Sequence, residues 1–81
     1  FQGMIELLST TQVNFLRALT DERKMFSSKK ILEEYKLGTS ANVNRIKQAL
    51  ISKEIIDNQG GHIEILDPMF EIWLKDYYFD A

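Results

Sequence analysis

Apolar residues recur at helical spacing in four stretches of the chain, and polar clusters with capping chemistry separate them. Ser9-Thr10-Thr11-Gln12 has the form of a capping box, in which the serine oxygen takes a backbone N–H and the glutamine reaches back to the cap. Behind it Val13, Leu16 and Leu19, widened by Phe15 and Ala18, make one apolar face of a helix of about three turns that closes at Thr20-Asp21-Glu22-Arg23-Lys24. Ser27 or Ser28 caps a second, shorter helix with Ile31, Leu32 and Tyr35 on one side and Lys29, Lys30, Glu33, Glu34 and Lys36 toward water. Gly38 is expected to end it, because glycine accepts the left-handed conformation found past helix C-termini. Thr39 and Ser40 cap a third helix at once, roughly Ala41 to Lys53, which buries Val43, Ile46 and Leu50 with Ala49 beside them.

The period changes after the third helix. Gly60-Gly61 supplies positive φ for a hairpin turn, and His62, Ile63, Glu64 and Ile65 alternate polar with apolar as a strand with one buried face does. Asp67-Pro68 then opens a last helix, Asp as cap and Pro in the first helical position. Met69, Phe70, Trp73, Leu74, Tyr77 and Tyr78 follow as adjacent pairs every four residues, a broad aromatic stripe that reads as core, while Ile72 and Phe79 fall off it. The reading is a mainly α fold of the winged helix-turn-helix class: about four helices with a small two-stranded β-hairpin wing. Its core is expected to comprise Val13, Leu16, Leu19, Ile31, Leu32, Tyr35, Val43, Ile46, Leu50, Ile63, Ile65, Phe70, Trp73 and Leu74.

Eighty-one residues suit one small domain with a single core. Cysteine is absent, so packing alone must hold the fold and a reducing cytoplasm is the expected setting. No apolar run nears the roughly 18 residues of a membrane span. Phe1-Gln2-Gly3 has the appearance of a protease-site tag remnant, leaving 4–81 as the domain. Charge is polarised along the chain: eight Lys or Arg stand against five Asp or Glu between Asp21 and Glu54, and one against six from Ile55 onward. Such asymmetry can orient a charged partner.

Catalysis finds little support. His62 lies beside a glycine turn with no neighbouring nucleophile, there is no GxxxxGK loop for phosphates, and the acidic pairs Asp21-Glu22 and Glu33-Glu34 sit on solvated faces among Lys and Arg. No catalytic residue, metal site or cofactor is expected, since no stretch converges several carboxylates. The third helix carries the better chemistry. Asn42, Asn44, Arg45 and Gln48 are of the types that make paired hydrogen bonds to base edges, and Lys29, Lys30, Lys47 and Lys53 can neutralise flanking phosphates of double-stranded DNA. The wing, with Asp57 and Glu64 and no Lys or Arg, subtracts from that attraction. The other reading is a protein-interaction or regulatory domain, docking through an apolar patch at Ile72 and Phe79 rimmed by Asp76 and Asp80.

The succession Ser-Ser-Lys-Lys-Ile-Leu-Glu-Glu-Tyr, Asn-Val-Asn-Arg-Ile-Lys-Gln-Ala-Leu, the Gly-Gly hairpin and Asp67-Pro68-Met69-Phe70-Glu71-Ile72-Trp73-Leu74 resembles the C-terminal winged-helix domain of archaeal-type P-loop ATPases, also found in bacteria. The resemblance spans about Leu8 to Tyr78, and its most specific part is the Asp-Pro-x-Phe-x-x-Trp-Leu segment. It implies a parent with an N-terminal AAA-type, ATP-binding module, from whose C-terminus this domain is cut and against which it can pack. The nucleotide motifs are missing from this chain, so ATPase activity is implied for a parent alone.

Overall fold

A computed structural model describes residues 1–80. Five α-helices, α1 (Gln2–Glu6), α2 (Thr10–Thr20), α3 (Lys29–Glu34), α4 (Ser40–Ser52) and α5 (Pro68–Trp73), pack with a hairpin of β1 (Ile56–Gln59) and β2 (His62–Ile65). A π-helical turn, Leu74–Tyr78, continues α5. The mainly helical winged-helix expectation holds, with one helix more than the periodicity indicated: α1, which has no side-chain cap.

Capping chemistry sets where the helices start. Ser9 Oγ accepts from the Gln12 N–H at 3.2 Å while the Ser9 N–H donates to Gln12 Oε1 at 3.0 Å, completing the capping box of α2. Ser28 caps α3, Thr39 caps α4, and Asp67 Oδ1 accepts from the Met69 and Phe70 N–H groups of α5. Replacing Asp67 by Ala should cost about 1 kcal/mol, read as a lower denaturant midpoint with an unchanged slope.

The ends of α2 and α4 fall where the sequence pattern puts them and that of α3 comes earlier, and all three close in the same way. The Arg23 N–H donates to the Ala18 carbonyl, that of Leu37 to Leu32 and that of Ile55 to Leu50, while the N–H groups of Glu22, Lys36 and Glu54 donate to Leu19, Glu33 and Ile51. This is the paired bonding of the Schellman motif, and its left-handed position is held by Glu22 (φ 59°), Lys36 (φ 54°) and Glu54 (φ 59°) instead of glycine. Thus α3 stops at Glu34 rather than running to Gly38, and Leu37 and Ile55 turn into the core. A left-handed non-glycine residue costs roughly 1–2 kcal/mol, and glycine adds about 0.5–1 kcal/mol of chain entropy. Glu54→Gly should therefore raise the thermal midpoint, with a net gain of about 0.5–1 kcal/mol.

One core joins all the elements. Phe15, Leu16, Ile31, Val43, Ile46, Leu50, Phe70 and Leu74 are buried as their spacing indicated, and Ile5, Leu37, Ile55 and Ile56 join them. Val13, Leu19, Leu32, Ile63 and Trp73, expected as core, are half-buried and pack on its margin. The stripe along the last helix needs the larger correction. Met69 and Tyr77 are 62% and 74% exposed and Tyr78 is also exposed, so only Phe70 and Leu74 of its six residues are buried. The π turn accounts for the end of the stripe: its wider turn shifts the side-chain phase after Leu74, so Tyr77 and Tyr78 leave the buried face. Trp73 instead stacks on Tyr77 and Tyr78, and the Phe1 ring packs against Phe70 and Trp73 at 5.3 and 5.7 Å.

Candidate nucleic-acid interface

The helix-turn-helix consists of α3, the turn Tyr35 to Thr39, and α4. Tyr35 and Leu37 anchor the turn in the core. Gly38 takes φ +87°, and a Cβ there would meet Asn42 Nδ2 at 3.2 Å. That amide nitrogen donates to the Leu37 carbonyl at 2.7 Å, tying the first turn of α4 back to the chain that enters it. Asn42 is thus a residue of the turn, its N–H already committed, rather than one of the outward set.

Three residues meant to face a groove do share one face. Asn44, Arg45 and Gln48 are exposed, with Ala41 and Ser52 continuing the same stripe, while Val43, Ile46 and Leu50 point to the core. Among the described residues Asn44, Arg45 and Gln48 make no side-chain hydrogen bond or salt bridge. The other two arginines are occupied: Arg23 Nη1 donates to Glu34 Oε2 at 2.7 Å, which raises the Arg23 pKa further, and Arg17 lies over the Phe79 ring at 5.3 Å. Lys29 and Lys30 open α3, Lys53 caps the end of α4, and all three are exposed. Lys36, exposed in the turn, joins this basic set; its left-handed position gives no signal in sequence.

Lys47 does not belong with them. It is half-buried with Nζ 5.9 Å from the Phe26 ring centre, in an open cleft of about 720 Å3 between the loop after α2 and the wing. Phe79 likewise leaves the exposed patch assigned to it: it is half-buried on the core beneath Arg17. Ile72 stays 50% exposed, one helical turn from exposed Met69.

A second polar cluster braces the helix-turn-helix from behind. Tyr35 Oη donates to Asp21 Oδ2 at 2.7 Å, and the Arg23 guanidinium lies over the Tyr35 ring. Burial first, and then the bond to Asp21, push the Tyr35 hydroxyl above its ordinary value. The folded protein thus holds this proton more tightly than the unfolded chain. The associated stability is complete below pH about 10 and falls away as the pH rises through the folded-state value. Tyr35→Phe should lower stability at pH 7 by about 1 kcal/mol and flatten this alkaline loss, both seen by chemical denaturation across pH.

The wing turns through Gly60 and Gly61, both at positive φ, with the Gly61 N–H donating to Asn58 Oδ1. Its register sets Asp57 directly opposite Glu64, and His62 Nε2 is 3.7 Å from Glu64 Oε2. Among the described residues there is no group of three His, Cys, Asp or Glu that could hold a metal, and no helix is long and apolar enough to cross a membrane.

A family model described as a probable winged helix domain matches residues 1–76. It indicates no catalytic family. No curated protein and no solved structure matches the chain.

Proposed function

Since the chain belongs to the winged-helix family, whose model spans residues 1–76, we propose that it is a DNA-binding accessory domain that reads duplex DNA with α4. What carries this reading is the stripe Asn44, Arg45 and Gln48, three side chains suited to base edges with no partner elsewhere among the described residues. Lys29, Lys30, Lys36 and Lys53 supply the phosphate contacts around it. Asp57 and Glu64 hold the wing off the duplex, so binding is weak for one copy and gains from a neighbouring domain. The Asp67 to Leu74 segment supports placing the domain at the C-terminus of a P-loop ATPase.

The test is fluorescence anisotropy with a random-sequence duplex at two salt concentrations. With roughly four phosphates neutralised, affinity should fall about a hundredfold between about 50 and 200 mM salt, and the doubly substituted Lys29→Ala, Lys30→Ala domain should show a shallower slope. Binding that ignores salt, or none by a folded domain, rejects the proposal.

One observation favours a second role beside the first. Met69, Ile72 and Tyr77 expose apolar surface along the last helix, the feature of a face that packs on another module such as the parent's nucleotide-binding unit. Ile72→Asp should weaken such packing and leave DNA affinity unchanged.

A further inference from the structure

Among the described residues the wing has a strand edge that no other strand pairs. The sheet contains β1 and β2 alone, in the register Ile56 to Ile65, Asp57 to Glu64, Asn58 to Ile63 and Gln59 to His62. The Leu66 N–H donates to the Ile55 carbonyl at 3.0 Å, which marks that pair as hydrogen-bonded. Antiparallel pairs alternate, so Glu64 and His62 also turn their backbone groups toward β1, whereas Ile63 and Ile65 turn theirs to the outer edge. Among the described residues neither Ile63 nor Ile65 has a backbone partner on that side.

That edge faces the open cleft of about 720 Å3. Gly61 through Ile65 line it consecutively, as residues do when a strand is seen edge-on, and the loop from Glu22 to Ser27 forms the opposite wall. Leu19, Phe26 and Ile63 make it partly apolar, and exposed Met25 stands on the loop side. Its charges are Arg23, Lys24 and Lys47 against Glu22, Glu64 and Glu71, with Arg23 already bonded to Glu34.

We propose that this cleft is a docking site for an extended polypeptide segment that adds antiparallel to β2 as a third strand, placing a Lys or Arg beside Glu64 and an apolar residue on each side of it. The backbone groups of Ile63 and Ile65 bond the incoming strand, the mode of recognition by strand addition. A residue opposite Ile63 sends its side chain to the core face, over Phe26 and Leu19, and so is apolar. The residue opposite Glu64 projects to the solvent face. There Asp57 and Glu64 sit opposite each other as like charges with no Lys or Arg in the wing, and a cation relieves the repulsion. Nucleic acid is the wrong occupant for the same reason.

The experiment is an NMR titration of the domain with blocked Val-Lys-Val-Lys-Val. Exchange of the Ile63 and Ile65 amides should slow by about tenfold or more at saturation, while those of Glu64 and Leu66, bonded across the hairpin already, change less. N-methylation at the central Val, whose N–H faces β2, should abolish binding, and N-methylation at a Lys should be tolerated. Glu64→Lys, at an exposed position, should weaken the basic peptide by about tenfold and favour Val-Glu-Val-Glu-Val. The proposal is overturned if the peptide leaves Ile63 and Ile65 unprotected, if the central N-methyl group makes no difference, or if the edge becomes protected by self-association without peptide.

Discussion

Phe15→Ala should remove a quarter or more of the domain's stability. Phe15 is fully buried in α2 and packs its ring on Phe26 at 4.8 Å, so it links the first long helix to the loop that walls the cleft. A buried Phe→Ala change costs about 3–5 kcal/mol through lost transfer energy and the cavity left behind. A chain of this length has roughly 4–12 kcal/mol in total. Denaturant unfolding followed by the Trp73 fluorescence checks it. Phe26→Ala, at a half-buried position, should cost clearly less.

Arg45→Glu should lower duplex affinity by about ten- to a hundredfold while the thermal midpoint stays within a degree or two. Arg45 is exposed in mid-α4 with no salt bridge, so folding does not depend on it. Loss of a paired contact to guanine is worth about 1–3 kcal/mol, and the new carboxylate repels phosphate in addition. The contrast with Arg23→Glu is informative, because Arg23 is bonded to Glu34 and its reversal should act on stability first. Asn44→Ala and Gln48→Ala should alter preference among sequences more than overall affinity.

Periodicity in α4 carried both its faces at once. The spacing that buries Val43, Ile46 and Leu50 necessarily leaves Asn44, Arg45 and Gln48 outside, so this part of the candidate site was legible in the sequence. Helix starts were legible as well, since Ser9, Thr39 and Asp67 do local work that any side-chain reading detects. The end of α3 was not, and neither was the turn conformation that closes all three helices. Glu22, Lys36 and Glu54 hold a conformation whose usual sign is glycine, and the hidden turns concealed Leu37 and Ile55 as core residues. The end of the last helix misled for a related reason: a π turn from Leu74 alters the period, so Tyr77 and Tyr78 leave the face that buries Phe70 and Leu74. Asn42 and Lys47 stand apart from the exposed stripe because their neighbours, the Leu37 carbonyl and the Phe26 ring, are brought to them only by folding.

Titration of the labelled domain with duplex DNA, followed by amide shifts, is the most direct test of the proposed interface. Ala41, Asn44, Arg45 and Gln48 should move together with Lys29, Lys30 and Lys36, while Gly60, Gly61 and Ile72 stay in place. Shifts centred on the wing tip or on the last helix, or no shifts at low salt from a folded domain, would contradict a role for α4 in reading DNA.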